Sequence, residues 1–139
     1  MPFVEFEFIV EGPPLSVNTK KSQPTKHRKW QERLALAAKY RLESVAASQK
    51  PVPTFRPVAM SITTYYTMKA LDVDNVIKPI LDSLKGVIYS DDKQVFHLTS
   101  HRIDLSSHVF ESPGALLADA FDKYSEFVHV ELRWNEDED

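Results

Sequence analysis

Apolar residues stand at every second position from Val4 to Val10, with Glu5 and Glu7 between them, the period-two pattern of a strand with one buried face. Gly12-Pro13-Pro14 ends that run, and residues 15–27 read as a polar, basic loop. Trp30, Leu34, Ala37, Ala38 and Val45 then recur at helical spacing, with Arg41 the one charged residue on the stripe, which predicts an amphipathic helix. Pro51, Pro53 and Pro57 interrupt regular structure. Behind them, residues 58–68 are rich in β-branched and aromatic side chains and predict a second strand, which Pro57 can start but not interrupt. A second helix is predicted from about Asp74-Asn75, with Ile77, Leu81 and Leu84 as its apolar stripe and Gly86 as its stop. Pro79 falls at about its fifth position, where the ring is expected to distort the first turn. Residues 95–103 and 126–134 read as two more strands, Ser90-Asp91-Asp92 as a turn or cap, and Leu116, Leu117, Ala120 and Phe121 suit a short helix. The expected fold is α+β: a small mixed four-stranded sheet with two main helices, in the order β-α-β-α-β-β.

The chain has 139 residues, enough for one domain, expected over residues 1–134 and followed by an acidic, disordered tail from Asn135 to Asp139. It contains no cysteine, which excludes disulfides, thiolate metal sites and cysteine catalysis, so any metal sits on oxygen or imidazole. No apolar stretch approaches the ~20 residues of a membrane-spanning helix, and the N-terminus lacks the basic and apolar parts of a secretory leader. A soluble, cytoplasmic protein without a membrane partner is expected. The net charge of −3 conceals an asymmetry: residues 1–56 hold ten Lys/Arg and five Asp/Glu, whereas residues 57–139 hold seven and fifteen. The densest basic stretch, residues 18–41, carries eight Lys/Arg against Glu32 alone. Such a patch suits a polyanion, although a basic stretch taken alone is more often the solvated face of a helix and its loop.

The acids of the second half are concentrated. Asp72, Asp74, Lys78, Asp82, Asp91 and Asp92 fall within one segment that also supplies a buried helix. Asp72 and Asp74, two apart in extended chain, project the same way, while Asp74, Lys78 and Asp82 fall one helical turn apart. If the third strand returns beside the second, the Asp91-Asp92 turn adds a carboxylate to the same place. Carboxylates so close repel one another unless they share a cation, and for oxygen ligands this is most simply Mg2+, which also accepts phosphate oxygens. Lys78 would stabilise a phosphoryl group whose charge grows during reaction. Each residue also has an ordinary reading: Asp74 as a helix N-cap, Lys78 and Asp82 as a surface i,i+4 pair, Asp91-Asp92 as a solvated turn. His97 and His101 lie about 13 Å apart along one strand, too far to share an ion.

The run Leu71-Asp72-Val73-Asp74-Asn75-Val76-Ile77-Lys78, then Leu81-Asp82-Ser83-Leu84-Lys85-Gly86, then Asp91-Asp92-Lys93-Gln94-Val95 resembles the RusA-like Holliday junction resolvases, whose pattern is D-x-D-N-x-x-K, L-D-x-L-x-G and D-D-x-Q-V. Gly12-Pro13-Pro14-Leu15-Ser16-Val17-Asn18 is similar to that family's opening after the first strand. The resemblance implies a homodimeric endodeoxyribonuclease, dependent on Mg2+ with Mn2+ as a substitute, that binds four-way DNA junctions and introduces paired nicks in recombination and repair. By position in the motif, Asp72, Asp74 and Asp92 match the metal-binding catalytic carboxylates, with Asp91 as second choice, and Lys78 matches the catalytic lysine. Asp82 is expected to orient Lys78, and Asn75 to hold the first turn or a carboxylate. Lys20, Lys21, Lys26, Arg28, Lys29 and Lys69 become the candidate phosphate contacts. Two rivals are a junction-binding protein without turnover and a metal-dependent sugar transferase built on Asp72-Val73-Asp74, against which the small size of the chain argues.

Overall fold

The computed structural model describes residues 3–15, 22–43, 52–67, 74–106 and 113–135. β1 (Phe3–Glu11), α1 (Pro24–Glu43), β2 (Val58–Tyr66), α2 (Ile77–Leu84), β3 (Val95–Asp104), α3 (Ala115–Lys123) and β4 (Phe127–Asn135) follow in order, with a 3-10 turn at Asp92–Gln94 just ahead of β3. The four strands form one sheet in the spatial order β1-β4-β2-β3. β4 is antiparallel to both β1 and β2, while β2 and β3 are parallel, so the sheet is mixed as expected.

Strand alternation determines which face is buried. Val4, Phe6, Phe8 and Val10 lie across from Trp134, Leu132, Val130 and Val128, and Val58, Met60 and Ile62 continue those rows on β2. All belong to the main core, which is closed by His27, Trp30, Leu34, Ala38 and Leu42 of α1 and by Val76, Ile80, Leu84, Ile88 and Tyr89 around α2. On the other face a smaller cluster, Tyr65, Phe127 and Ala120 with Phe121 and Tyr124 packed against it, seats α3 over one end of the sheet.

Four expectations need correction. The order gains a third helix, α3, between β3 and β4, where only a short apolar stretch had a helical pattern. α1 begins at Pro24, so residues 24–27 are helix and not loop. Proline is favoured at a first helical position because its missing N–H has no acceptor there, and the buried stripe starts with His27, a residue that apolar periodicity does not count. Pro79 leaves α2 undistorted because the helix starts late: Val76 is the cap, which makes Pro79 its third residue, still within the turn whose N–H groups lack intrahelical acceptors. Asn135, expected in the tail, closes β4 and accepts a hydrogen bond from Arg56 Nε at 2.8 Å, while residues 136–139 lie outside the described residues. No helix among the described residues is long and apolar enough to cross a membrane.

Candidate functional site

Parallel pairing places the acidic turn at an unexpected end of the sheet. Val58 lies beside Val95 and Tyr66 beside Asp104, so Asp92 is level with the start of β2 and not with its finish. Residues 67–76 separate β2 from α2, and ten residues can reach back along the sheet by roughly 33 Å. It is therefore the packing of α2, through Ile80 and Leu84 in the core, that brings Lys78 to the 3-10 turn.

Lys78 Nζ lies 3.0 Å from Asp82 Oδ1, one helical turn on, and 3.3 Å from Asp92 Oδ2, fourteen residues away in sequence. The lysine side chain is 61% exposed and that of Asp92 27%, so solvent and substrate can reach the trio while water screens it. Hydrogen bonds to Asp82 and then to Asp92 push the Lys78 ammonium above the ordinary lysine value, and it is fully charged at neutral pH. This lysine sits against the local rules for helices. It occupies the first turn, where the dipole disfavours a cation by about 0.3–1 kcal/mol, in a helix with no acid in that turn and no side-chain cap. The two aspartates offset that disadvantage.

Asp91 and Asp92 have different tasks despite their adjacency. Asp91 caps the 3-10 turn: its Oδ1 accepts from Lys93 N at 3.0 Å, and Gln94 Oε1 accepts from Asp91 N at 2.9 Å, completing a capping box. The Lys93 backbone N–H first, then a hydrogen bond with Asp92 and the charges of Lys85 and Lys93, holds the Asp91 carboxyl below its ordinary value. Asp92, the next residue, faces Lys78. Asp74 lies exposed in the turn before α2 and is not the N-cap, which is Val76; its backbone carbonyl accepts from Ile77 N. Asn75 shares that turn. Asp72, Lys20, Lys21 and Lys69 lie outside the described residues.

Of the expected phosphate contacts, Lys26, Arg28 and Lys29 are exposed on the first two turns of α1, with Arg28 3.8 Å from Glu32. Gln31 Nε2 on the same helix donates to the carbonyl of Pro79 at 3.2 Å. That bond ties the basic start of α1 to the residue next to Lys78, so the basic helix and the Lys78 trio adjoin.

Gln94 was not singled out from the sequence, yet its amide organises the surroundings. Its Oε1 accepts from Ser90 N and Asp91 N, and its Nε2 donates to the carbonyls of Thr54 and Arg56, all at 2.9 Å. The signal was present as D-x-x-Q over residues 91–94, the spacing of a capping box. Tyr89, fully buried beneath the turn, donates to Leu81 O at 2.7 Å; burial and then the Asp92 and Asp82 charges raise its pKa far above the ordinary phenol value.

A second polar group occupies the opposite face of the sheet. Glu7 and Glu131 are direct partners across β1 and β4, and His129 Nε2 lies 2.7 Å from Glu7 Oε1 with Nδ1 3.8 Å from Glu131 Oε1. Among the described residues these three are the one set of His and acidic side chains whose ligand atoms all fall within 4.8 Å; Asp74, Asp82, Asp91 and Asp92 do not form another. Like charges directly opposed in a sheet are unfavourable, and His129 Nε2 gives the Glu7 carboxylate a hydrogen-bond partner there.

The sequence model of the family described as Endodeoxyribonuclease RusA matches residues 11–111, which span the basic start of α1, α2 and the acidic turn. No curated protein matches the chain.

Proposed function

Because the chain belongs to the RusA endodeoxyribonuclease family, we propose that it is a Mg2+-dependent nuclease that resolves four-way DNA junctions by paired nicking, as a homodimer, in recombination and repair in the cytoplasm. The observation that carries this reading is the meeting of Lys78 with Asp92 across two separate elements, at a helix start where a lysine is otherwise unfavourable.

Asp92, Asp74 and Asp72 are the proposed metal ligands. The donor set fits: carboxylate oxygens suit a hard ion, the chain has no cysteine, and neither Asp74 nor Asp92 is used as the cap of its element. When bound, Mg2+ polarises a phosphoryl oxygen and makes water a better nucleophile at neutral pH. The chain's own residues do the rest. Lys78, kept protonated by Asp82 and Asp92, has no lone pair with which to act as a base; it serves as a fixed positive charge for the phosphate as negative charge accumulates in the transition state. Asp82 orients it. Lys26, Arg28 and Lys29, joined by Lys20, Lys21 and Lys69, neutralise flanking phosphates and supply the sequence-independent affinity. A twofold pair of subunits presents two such sites to two related strands.

The experiment is incubation of end-labelled four-way junction and linear duplex with the protein, with and without Mg2+. Symmetric nicks in the junction alone, only with metal, are expected. Junction binding with no nicks in Mg2+ or Mn2+ would instead establish a non-catalytic binding protein.

A further inference from the structure

Among the described residues Phe55 is the most exposed large hydrophobic side chain, at 83%, and it stands beside the proposed nuclease site on a backbone that is held in place from both sides. Thr54 is buried, its N–H donates to Ile88 O at 2.8 Å, and it bridges to Tyr89. Arg56 N donates to Thr54 Oγ1 at 3.1 Å, and Arg56 Nε anchors to Asn135 O. The carbonyls on either side of Phe55 are both taken by Gln94 Nε2, whose Oε1 holds the N–H of Asp91. One amide thus links the Phe55 segment to the turn that carries Asp91 and Asp92.

A ring left in water on a fixed backbone has an unmet apolar face and little ordering entropy left to lose on binding. Its surroundings specify the ligand. Exposed Lys85 and Lys93 and the Lys78 ammonium are interspersed with Asp82, Asp91 and Asp92 around that turn, so a partner reaching the ring meets cations that can pair with phosphates. Phe55 does not line the hollow formed by Phe3, Arg56, Pro57, Ala59 and Phe96. We propose that Phe55 is a stacking platform for a nucleobase unstacked next to the cleaved phosphodiester, an assignment that rests on the nuclease reading for its location and on the clamped, exposed ring for its chemistry. Every base has a face on which such a ring can stack, so the contact adds affinity and register without reading sequence.

The test uses the full chain in Ca2+ buffer with junctions carrying 2-aminopurine at successive positions around the cut site found for the wild type, or around the crossover if it does not cut. Wild type is expected to raise 2-aminopurine emission at one position, as that base leaves its stack. Phe55→Ala and Phe55→Leu are expected to abolish the rise and weaken junction binding about tenfold, with unchanged melting temperature, and Phe55→Trp to restore both. Leucine separates stacking from plain apolar contact. Wild-type binding and emission by the Leu variant would overturn the proposal, as would a shift of Phe55→Ala from dimer to monomer in sedimentation, which would assign the ring to a protein interface. If wild type fails to nick in Mg2+ yet shows the Phe55-dependent emission, the nuclease reading falls and the stacking assignment stands; normal nicking by Phe55→Leu with normal emission gives the reverse. No emission change with wild type at any position rejects the platform.

Discussion

The two faces of the sheet each carry a group of opposed carboxylates quenched by a cationic or imidazole side chain, and they quench it differently. On the α3 face, His129 is buried between Glu7 and Glu131, two acids that strand register sets directly opposite one another. Nothing there departs from ordinary sheet chemistry: the conflict and its relief lie on neighbouring strands. On the α2 face, Lys78 is exposed, reaches from the wrong end of a helix dipole, and meets Asp92, whose neighbour Asp91 already does the structural work of capping. The group on the α3 face satisfies itself by local rules; the group on the α2 face breaks one and is supported from outside. The outside support here is Gln94.

That contrast can be broken at either face. The largest effect is expected from Lys78→Ala, which should lower single-turnover junction cleavage by about 10²–10³-fold while leaving the melting curve nearly unchanged, since the side chain is exposed. Cleavage within twofold of wild type would move the reaction elsewhere. Gln94→Leu is expected to lose stability on the order of 3 kcal/mol in urea unfolding, because four backbone groups lose their partner at once. A loss well under 1 kcal/mol would mean that water replaces the amide and that the clamp is not rigid. His129→Ala should lower stability by about 1 kcal/mol, by leaving Glu7 opposite Glu131, and should not change the cleavage rate. A large loss of cleavage in this variant would erase the distinction between the faces.

The smallest effect is that of pH. The Lys78 pKa is raised above 10.5 in the folded chain, so its contribution to stability is complete below 10.5 and disappears as pH rises through the higher, folded value. The Asp91 pKa is lowered below 3.8, so its contribution is present above 3.8 and is lost as pH falls through the folded value. Melting temperatures of wild type and of Lys78→Ala or Asp91→Asn should therefore run parallel between about pH 5 and 9 and converge only outside that window. Convergence inside it would show that other groups set these charges.

Much of this was legible in the chain. The alternation of Val4, Phe6, Phe8 and Val10 is a property of the strand itself, so β1 and its buried face followed directly. The pairing of Lys78 with Asp82 was likewise local. The start of α1 was read too late because its first buried residue is His27 and its first residue a proline, neither of which registers as apolar periodicity, while Val45 lies outside the described residues. The approach of Asp92 to Lys78 depends on the return of the chain along a parallel pair, a long-range arrangement that no spacing encodes. Phe55 left no signal, since exposure depends on what fails to pack against a residue.

The proposed division of labour gives Asp92 to the reaction and Asp91 to the turn. The direct measurement is Mg2+-dependent nicking of a labelled junction by Asp92→Asn and Asp91→Asn, each checked for junction binding. Loss of nicking with retained binding in Asp92→Asn, and continued nicking in Asp91→Asn, is the predicted result. Native-rate nicking by Asp92→Asn would contradict it.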